Sequence, residues 1–192
     1  FIVGTVGRLV DDSHKRVSDL LRAMQLVGDV DASVHLLVVG DGKERASLQR
    51  LASELGVQKS VTFAGHTDDA GPYYGLMQVF AIVSGREGFG LVVPEAMLCG
   101  LPVIATAVGG LLDIVLPDQT GLLVPPARPD LISEAILRLR ADAELRSQLG
   151  RAGMERARAL FGAERYAREV DAFYQKLLLR PRPLPWSLVS EV

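Results

Sequence analysis

The chain has 192 residues, of which 48% are hydrophobic and 23% charged, a composition typical of a soluble globular domain that can bury a sizeable core. Its formal charge of −2, from 21 basic and 23 acidic residues, offers no general attraction to nucleic acid or anionic lipid. The single cysteine excludes an internal disulfide, no apolar run reaches membrane-spanning length, and no targeting segment is visible, so a cytoplasmic setting is expected.

Short apolar segments alternate with helical patterns along the chain. The strand candidates are Phe1–Val6, Val34–Val39, Val61–Ala64, Val79–Val83, Val103–Ala105 and Leu122–Val124. Several are nearly continuous apolar runs, as in strands that a parallel sheet buries on both faces. Helical stripes lie at Val17–Val27 and Leu48–Leu55, and three further helices are predicted at Asp130–Ala141, Ala143–Phe161 and Ala163–Leu178. The alternation predicts an α/β domain, a doubly wound parallel sheet with extra C-terminal helices.

The predicted domain comprises residues 1–178. Three prolines follow within a few positions, Pro181, Pro183 and Pro185. Each proline removes a backbone donor and restricts the residue before it, so a helix cannot continue through them. Residues 179–192 are therefore predicted to form a proline-rich tail.

The segment from Glu87 to Glu95 carries the strongest functional signal. It follows an apolar strand candidate, contains a glycine turn and leads into a helix candidate, Glu95–Leu98. A strand, a turn and a helix start bring backbone N–H groups together at one spot, which suits a phosphate, and flanking carboxylates suit sugar hydroxyls. This predicts a nucleotide-sugar site. A helix start alone would also favour Pro94 and Glu95, so spacing by itself leaves both interpretations open.

Longer motifs connect this segment to a known family. The runs Ser84–Gly90, Pro94–Thr106 and Gly109-Gly110 resemble the signature of retaining GT-B glycosyltransferases of family 4. The similarity includes Gly7-Arg8-Leu9, Lys15 and the run Thr120–Pro126, and covers about residues 4–175. It implies a Rossmann-like domain, the C-terminal, donor-binding half of a two-domain enzyme. Since the chain starts inside a strand candidate and without methionine, the acceptor-binding N-terminal half is expected to be missing.

The resemblance also implies roles for individual residues. Arg8 and Lys15 would grip the donor diphosphate and stabilise it as it leaves, Glu87 would contact the transferring sugar, and Glu95 would bind the ribose hydroxyls. Arg16 stands where the family usually has a glycine, and the loop from Gly7 to Lys15 is longer than usual, which puts the reach of the lysine in question. Further binding residues are expected at Gly7, which allows a tight turn, at Gly88, Phe89, Gly90 and Leu91, whose backbone meets the phosphate, and at His66 and Thr67 near the base.

The expected activity is transfer of a hexose, with retention, from a UDP-, GDP- or ADP-sugar to a carbohydrate or lipid-linked acceptor. No metal or other cofactor is expected, because cations and amides supply the countercharge. Two alternatives stay open: a GT-B sugar-nucleotide epimerase, and a module that only binds a nucleotide sugar. The chain alone is expected to bind donor with little or no turnover, since one wall of the acceptor cleft is missing.

Three other features favour structural interpretations. Asp29-Val30-Asp31 matches a metal-binding string, but turn chemistry explains aspartates before a strand. Cys99 is expected to be a small core residue on the helix after Glu95. The arginines of the C-terminal helices are interspersed with acidic residues and indicate a solvated face. Peripheral contact with the cytoplasmic face of a membrane is left open.

Overall fold

The computed structural model describes residues 1–10 and 12–179. Six parallel strands form one sheet in the order β3-β2-β1-β4-β5-β6. Their bounds are β1 Ile2–Val6, β2 His35–Val39, β3 Val61–Gly65, β4 Val79–Ile82, β5 Val103–Thr106 and β6 Gly121–Val124. Every strand lies within one residue of its predicted ends, and the doubly wound parallel fold is confirmed.

Helices connect the strands and follow the last of them. They are α1 Asp12–Lys15, α2 Val17–Gly28, α3 Arg45–Glu54, a 3-10 helix Gln58–Ser60, α4 Gly71–Tyr74, α5 Val92–Leu98, α6 Leu111–Ile114, α7 Pro129–Ala141, α8 Ala143–Phe161 and α9 Ala163–Leu178. The bounds of α8 and α9 agree with the prediction. Helix α7 starts one residue earlier, at Pro129, because proline loses no hydrogen bond at the first helical position.

The core explains why the strand candidates are apolar throughout. All four residues of β4 and all four of β5 are buried, so both faces of the sheet are covered. On one face α2 packs against α7. Leu20 and Met24 of α2 and Ile132 and Ile136 of α7 are at most 1% exposed. Burying a side chain of this size stabilises the fold by about 1.5–3 kcal/mol.

The strand order creates a crevice at the carboxyl edge of the sheet. Strand β1 pairs with β2 on one side and with β4 on the other, so the chain changes direction of winding between β1 and β4. Open parallel sheets bind their ligands at such a switch point. The loops that start at Gly7 after β1 and at Val83 after β4 meet here. Both carry residues of the predicted site.

The described residues form two compact units. Residues 1–158 make the first, and the second contains the described residues from 159 to 179. Within the second, Arg165 pairs with Glu169 at 2.6 Å between Nε and Oε1, and no residue of α9 is buried. No helix in residues 1–10 or 12–179 is both long and apolar enough to cross a membrane. The domain boundary at residue 178 stays a prediction, and the predicted tail lies, from residue 180 onward, outside the described residues.

Candidate functional site

A cavity of about 570 Å³ lies at the carboxyl edge of the sheet. Its walls come from the ends of β1 and β2, from the loop after β3, and from α4 and α5. The cavity brings five of the predicted site residues together. They are Gly7, Arg8, His66, Thr67 and Glu95.

Two glycines shape the floor of this cavity in different ways. Gly40 has a φ of +131°, and a Cβ there would lie 1.9 Å from the carbonyl oxygen of Gly7. Gly40 is therefore required where the loop after β2 approaches the loop after β1. Gly7 has no positive φ, and a Cβ on it would meet nothing within 4 Å. The chain bends at Gly7 directly after β1, as the predicted turn requires, but this bend does not use the left-handed conformation that favours glycine. A glycine there leaves space open beside the cavity.

Lys15 and Glu87 form a partly buried ion pair. Lys15 Nζ donates to Glu87 Oε2 at 2.8 Å, and Ser84 Oγ donates to the same oxygen at 3.1 Å. The Glu87 side chain is only 12% exposed. Thr106 Oγ1 donates to the carbonyl oxygen of Ser84 at 2.6 Å, which ties the end of β5 to this group. The longer loop before Lys15 therefore does not prevent the lysine from reaching Glu87.

Arg16 occupies the position where the family signature has glycine. Its φ of 51° lies in the left-handed region, which glycine adopts without strain and other residues rarely adopt. Arg16 Nε donates to the buried Asp19 carboxylate at 2.6 Å. The backbone conformation thus favours glycine at this position, and in this chain the arginine that adopts it pairs with Asp19.

The loop from Gly88 to Leu91 is held against the loop that precedes α6. Gly110 N donates to the carbonyl oxygen of Glu87 at 3.2 Å, and a Cβ on Gly110 would lie 2.2 Å from the carbonyl oxygen of Gly88. Phe89 and Leu91 are 42% and 69% exposed. In the described structure none of these loop residues, Gly88, Phe89, Gly90 and Leu91, lines the large cavity.

Helix α5 begins earlier than predicted. It starts at Val92 rather than Glu95, and Pro94 is its third residue. Proline is tolerated there because the first-turn N–H groups have no partner within the helix. Glu95 consequently lies at the end of the first turn, with its side chain on the wall of the cavity.

Tyr74 contacts Glu95, and nothing in the sequence pattern indicates this. Tyr74 is 3% exposed, and its Oη donates to Glu95 Oε2 at 2.8 Å. Its ring meets Phe80 edge to face, with 5.8 Å between centroids. Burial, and then the hydrogen bond to Glu95, raise the pKa of Tyr74 well above its usual range.

The cavity contains other residues that sequence reasoning missed or misplaced. Asp41 follows β2 and pairs with Arg45 at 2.6 Å between Oδ2 and Nη1. A hydrogen bond from the backbone of Gly42, and then the one from Arg45, lower the pKa of Asp41. The position of Asp41 after the strand next to β1 is the signal that could have found it.

Cys99 is exposed and lines the cavity, so its prediction as a core residue is wrong. It comes directly after the last residue of α5, whose inward-facing residues are Ala96 and Met97. Partial desolvation, and then the nearby Glu95 carboxylate, raise the pKa of the Cys99 thiol.

The aspartates of the metal-like string lie before β2, at the opposite end of that strand from the cavity. Asp31 Oδ1 accepts hydrogen bonds from the N and Oγ of Ser33, and Asp31 Oδ2 lies 3.2 Å from Arg140 Nε. These contacts agree with the turn interpretation. Within residues 1–10 and 12–179, no three His, Cys, Asp or Glu side chains come close enough to hold a metal ion.

Comparison with known proteins identifies relatives of this chain. The family described as "Glycosyl transferases group 1" matches residues 1–156. The N-acetyl-alpha-D-glucosaminyl L-malate synthase of Bacillus anthracis is 32% identical over 165 residues, which are 85% of this chain and 43% of that protein.

Solved structures show the same relationship. Sucrose-phosphate synthase from Thermosynechococcus elongatus is 39% identical, with a TM-score of 0.83, over 92% of this chain and 45% of that one. Anabaena HepE, solved in complex with UDP and glucose, is 25% identical, with a TM-score of 0.85, over 91% of this chain and 48% of that one. The chain thus spans about half the length of the relatives it matches. By its fold, by the family match over residues 1–156 and by these relatives, the chain belongs to the glycosyl transferases group 1 family.

Proposed function

We propose that this chain binds a nucleoside-diphosphate sugar in the cavity at the carboxyl edge of the sheet and donates the hexose, with retention, to an acceptor. One observation carries the proposal. At the switch point, a guanidinium, Arg8, and a carboxylate, Glu95, line one cavity. Arg8 also lines an adjoining cleft with Lys15, which pairs with Glu87. Cations for a diphosphate and carboxylates for hydroxyl groups are the groups that a nucleotide sugar needs.

Glu95 is proposed to bind the ribose. Glu95 lines the same cavity as His66 and Thr67. A carboxylate accepts hydrogen bonds from neighbouring hydroxyls, and the 2′ and 3′ hydroxyls of ribose offer such a pair. His66 and Thr67 follow β3 on the far side of β2 from Arg8, where the base of a nucleotide would lie when its phosphates are at Arg8.

Arg8 and Lys15 are proposed to hold the diphosphate. The Arg8 side chain is exposed and makes no hydrogen bond or ion pair with any residue in the described part of the chain. Lys15 lies with Arg8 and Gly7 along a narrow cleft that adjoins the ends of β1 and β4. Negative charge grows on the departing diphosphate while the sugar becomes oxocarbenium-like, so cations placed beforehand lower the barrier.

Glu87 is proposed to contact the transferring sugar, not to act as a general base. The Lys15 ammonium lies 2.8 Å from the Glu87 carboxylate, which supports neighbouring roles for the two groups. The donor joins phosphate to sugar through one oxygen, so the two protein groups must also be neighbours. The backbone from Gly88 to Leu91, held against Gly110, would then supply N–H groups to the same end of the donor.

Acceptor binding is proposed to need a second domain. The support is the coverage of the relatives, since this chain corresponds to less than half of the sucrose-phosphate synthase and HepE chains. Positioning an acceptor against the anomeric carbon can contribute about 7–11 kcal/mol to catalysis. Residues 1–192 alone are therefore expected to bind donor but to show little or no transfer.

Titration calorimetry of the chain against UDP, GDP and ADP tests donor binding. A transfer assay with the matching sugar nucleotide tests the transfer step. Saturable binding of at least one nucleoside diphosphate is expected, with transfer only when an acceptor domain is joined to the chain. No binding of any of the three would contradict the proposed function. Robust transfer by residues 1–192 alone would show that the acceptor site lies within them.

A further inference from the structure

We propose that Tyr74 is a positioning residue for ribose recognition: its hydroxyl holds one carboxylate oxygen of Glu95 so that the carboxylate faces the ribose hydroxyls of the bound nucleotide. This inference rests on the proposed function and extends it to a residue outside the motifs of the family. Tyr74 and Glu95 line the same cavity, although they belong to different helices.

The contact between the two residues is well defined. Tyr74 is the last residue of α4, and its Oη lies 2.8 Å from Glu95 Oε2 and 3.4 Å from the carbonyl oxygen of Val92. The second contact is one turn before Glu95 on α5. The tyrosine hydroxyl therefore contacts both the backbone of the first turn of α5 and the carboxylate of Glu95 at the end of that turn.

Tyr74 is a rigid anchor. Its side chain is 3% exposed, and its ring is packed against the fully buried Phe80. Glu95 is exposed and lies on a surface helix. A free glutamate side chain loses rotamer entropy when it must adopt one conformation for a ligand, and this loss weakens binding. A buried donor that already holds Oε2 reduces that loss before the nucleotide arrives.

The remaining oxygen of Glu95 is available for the ligand. Oε1 accepts no hydrogen bond from any residue among 1–10 and 12–179. An ionised carboxylate offers about four acceptor positions on its two oxygens. One hydrogen bond from Tyr74 thus leaves enough positions for two ribose hydroxyls.

The Tyr74 hydroxyl also keeps its proton. Burial raises the pKa of Tyr74, so the hydroxyl remains a donor throughout the neutral range. The orientation of Glu95 should then not depend on pH between about 6 and 9, below the usual pKa of tyrosine near 10.

The test compares nucleotides with and without ribose hydroxyls. The nucleoside diphosphate that the wild-type chain binds best is titrated beside its 2′,3′-dideoxy counterpart. The Kd of the dideoxy nucleotide divided by the Kd of the ribonucleotide is the ratio that measures ribose recognition. Tyr74→Phe removes the hydroxyl and keeps the ring. We expect it to lower the ratio by about threefold to tenfold, a change of about 0.65–1.4 kcal/mol that lies in the range for loss of one hydrogen bond, while the dideoxy Kd stays unchanged.

Matched variants make the result specific. Tyr73→Phe, one residue earlier on α4, is expected to keep the wild-type ratio. Glu95→Gln should lower the ratio, and adding Tyr74→Phe to it should lower the ratio no further, since the tyrosine acts through the carboxylate. If Tyr74→Phe fails to fold, 3-fluorotyrosine at position 74 keeps the hydroxyl and makes it a stronger donor, so the ratio should rise.

The outcomes separate this inference from the proposed function. If the wild-type chain binds none of UDP, GDP and ADP, the proposed function fails and this inference fails with it. If the wild-type chain prefers the ribonucleotide and Tyr74→Phe keeps that preference, only the role of Tyr74 is overturned. If Tyr74→Phe loses the same affinity for both nucleotides, Tyr74 has a structural role, and its proposed role in ribose recognition is overturned as well.

Discussion

Lys15 Nζ and Glu87 Oε2 lie 2.8 Å apart, although the two residues are 72 positions apart in the chain. The contact joins the segment after β1 to the loop after β4, the two segments that flank the switch point of the sheet. A second link runs from Gly85 N to the carbonyl oxygen of His14 at 2.7 Å. The arrangement sets the proposed phosphate-binding lysine beside the proposed sugar-binding glutamate.

The two proposed carboxylates should respond differently to neutralisation. Glu95→Gln is expected to weaken binding of nucleoside diphosphate and intact donor alike, by about 1.5–3 kcal/mol, because a hydrogen bond to a charged acceptor is lost at the ribose. Glu87→Gln is expected to weaken chiefly the intact donor. Calorimetry with both ligands measures the difference, and equal losses for both variants on both ligands would remove the assignment.

Donor binding is expected to proceed without metal. Arg8 and Lys15 already place two positive side chains beside the proposed phosphate position. The Kd of the nucleoside diphosphate should therefore be the same, within about twofold, in EDTA and in magnesium buffer, because the protein supplies the positive charge. Binding that disappears on chelation would contradict this prediction.

Substitution by alanine should have different effects on stability at Gly7 and at Gly40. Gly40→Ala places a Cβ 1.9 Å from the Gly7 carbonyl oxygen at a φ of +131°, so a loss of about 3 kcal/mol or more in unfolding free energy is expected. Gly7→Ala meets nothing within 4 Å and should leave stability within about 0.5 kcal/mol while it weakens nucleotide binding. Urea unfolding and calorimetry of both variants check this. A large stability loss in Gly7→Ala would show that the glycine is structural.

Two substitutions at Arg16 separate backbone strain from the ion pair. Arg16→Ala and Arg16→Gly both remove the ion pair with the buried Asp19 at 2.6 Å and leave only Arg22 Nη1, at 3.6 Å from Asp19 Oδ1, so both should destabilise the fold. Arg16→Gly should be the more stable of the two by about 1 kcal/mol, because glycine adopts a φ of 51° without strain. Denaturant unfolding gives both values. A less stable glycine variant would show that strain at this position is unimportant.

The protonated state of Tyr74 predicts a dependence on alkaline pH. Since its pKa is raised in the folded chain, the unfolded chain releases this proton first, at pH about 10. The stability that the group contributes is fully present below pH 10 and is lost as the pH rises above it, by up to about 1.4 kcal/mol per pH unit. Above pH 10 the unfolding free energy should fall more steeply in the wild-type chain than in Tyr74→Phe. Equal slopes would indicate that the phenol titrates normally.

Much of the sheet could be predicted from the sequence because strand identity depends on local hydrophobic pattern. The apolar runs at Val79–Val83 and Val103–Ala105 are typical of strands that a parallel sheet buries on both faces, and β4 and β5 are buried throughout. The strand, glycine turn and helix start around Glu87 predict a site there, and the resemblance adds specific roles for Arg8, Lys15 and Glu87. Their roles stay predictions until ligand binding is measured.

The tertiary structure decided which side chains touch each other. Only the fold brings Tyr74, at the end of α4, to Glu95 on α5, and neither periodicity nor a motif reports a contact between two separate helices. Cys99 follows an apolar helix, yet its exposure depends on which side of the last turn faces the cavity. Local sequence determined the strands and the family, whereas the meeting of loops at the carboxyl edge determined the site, because those contacts join segments that only the folded sheet brings together.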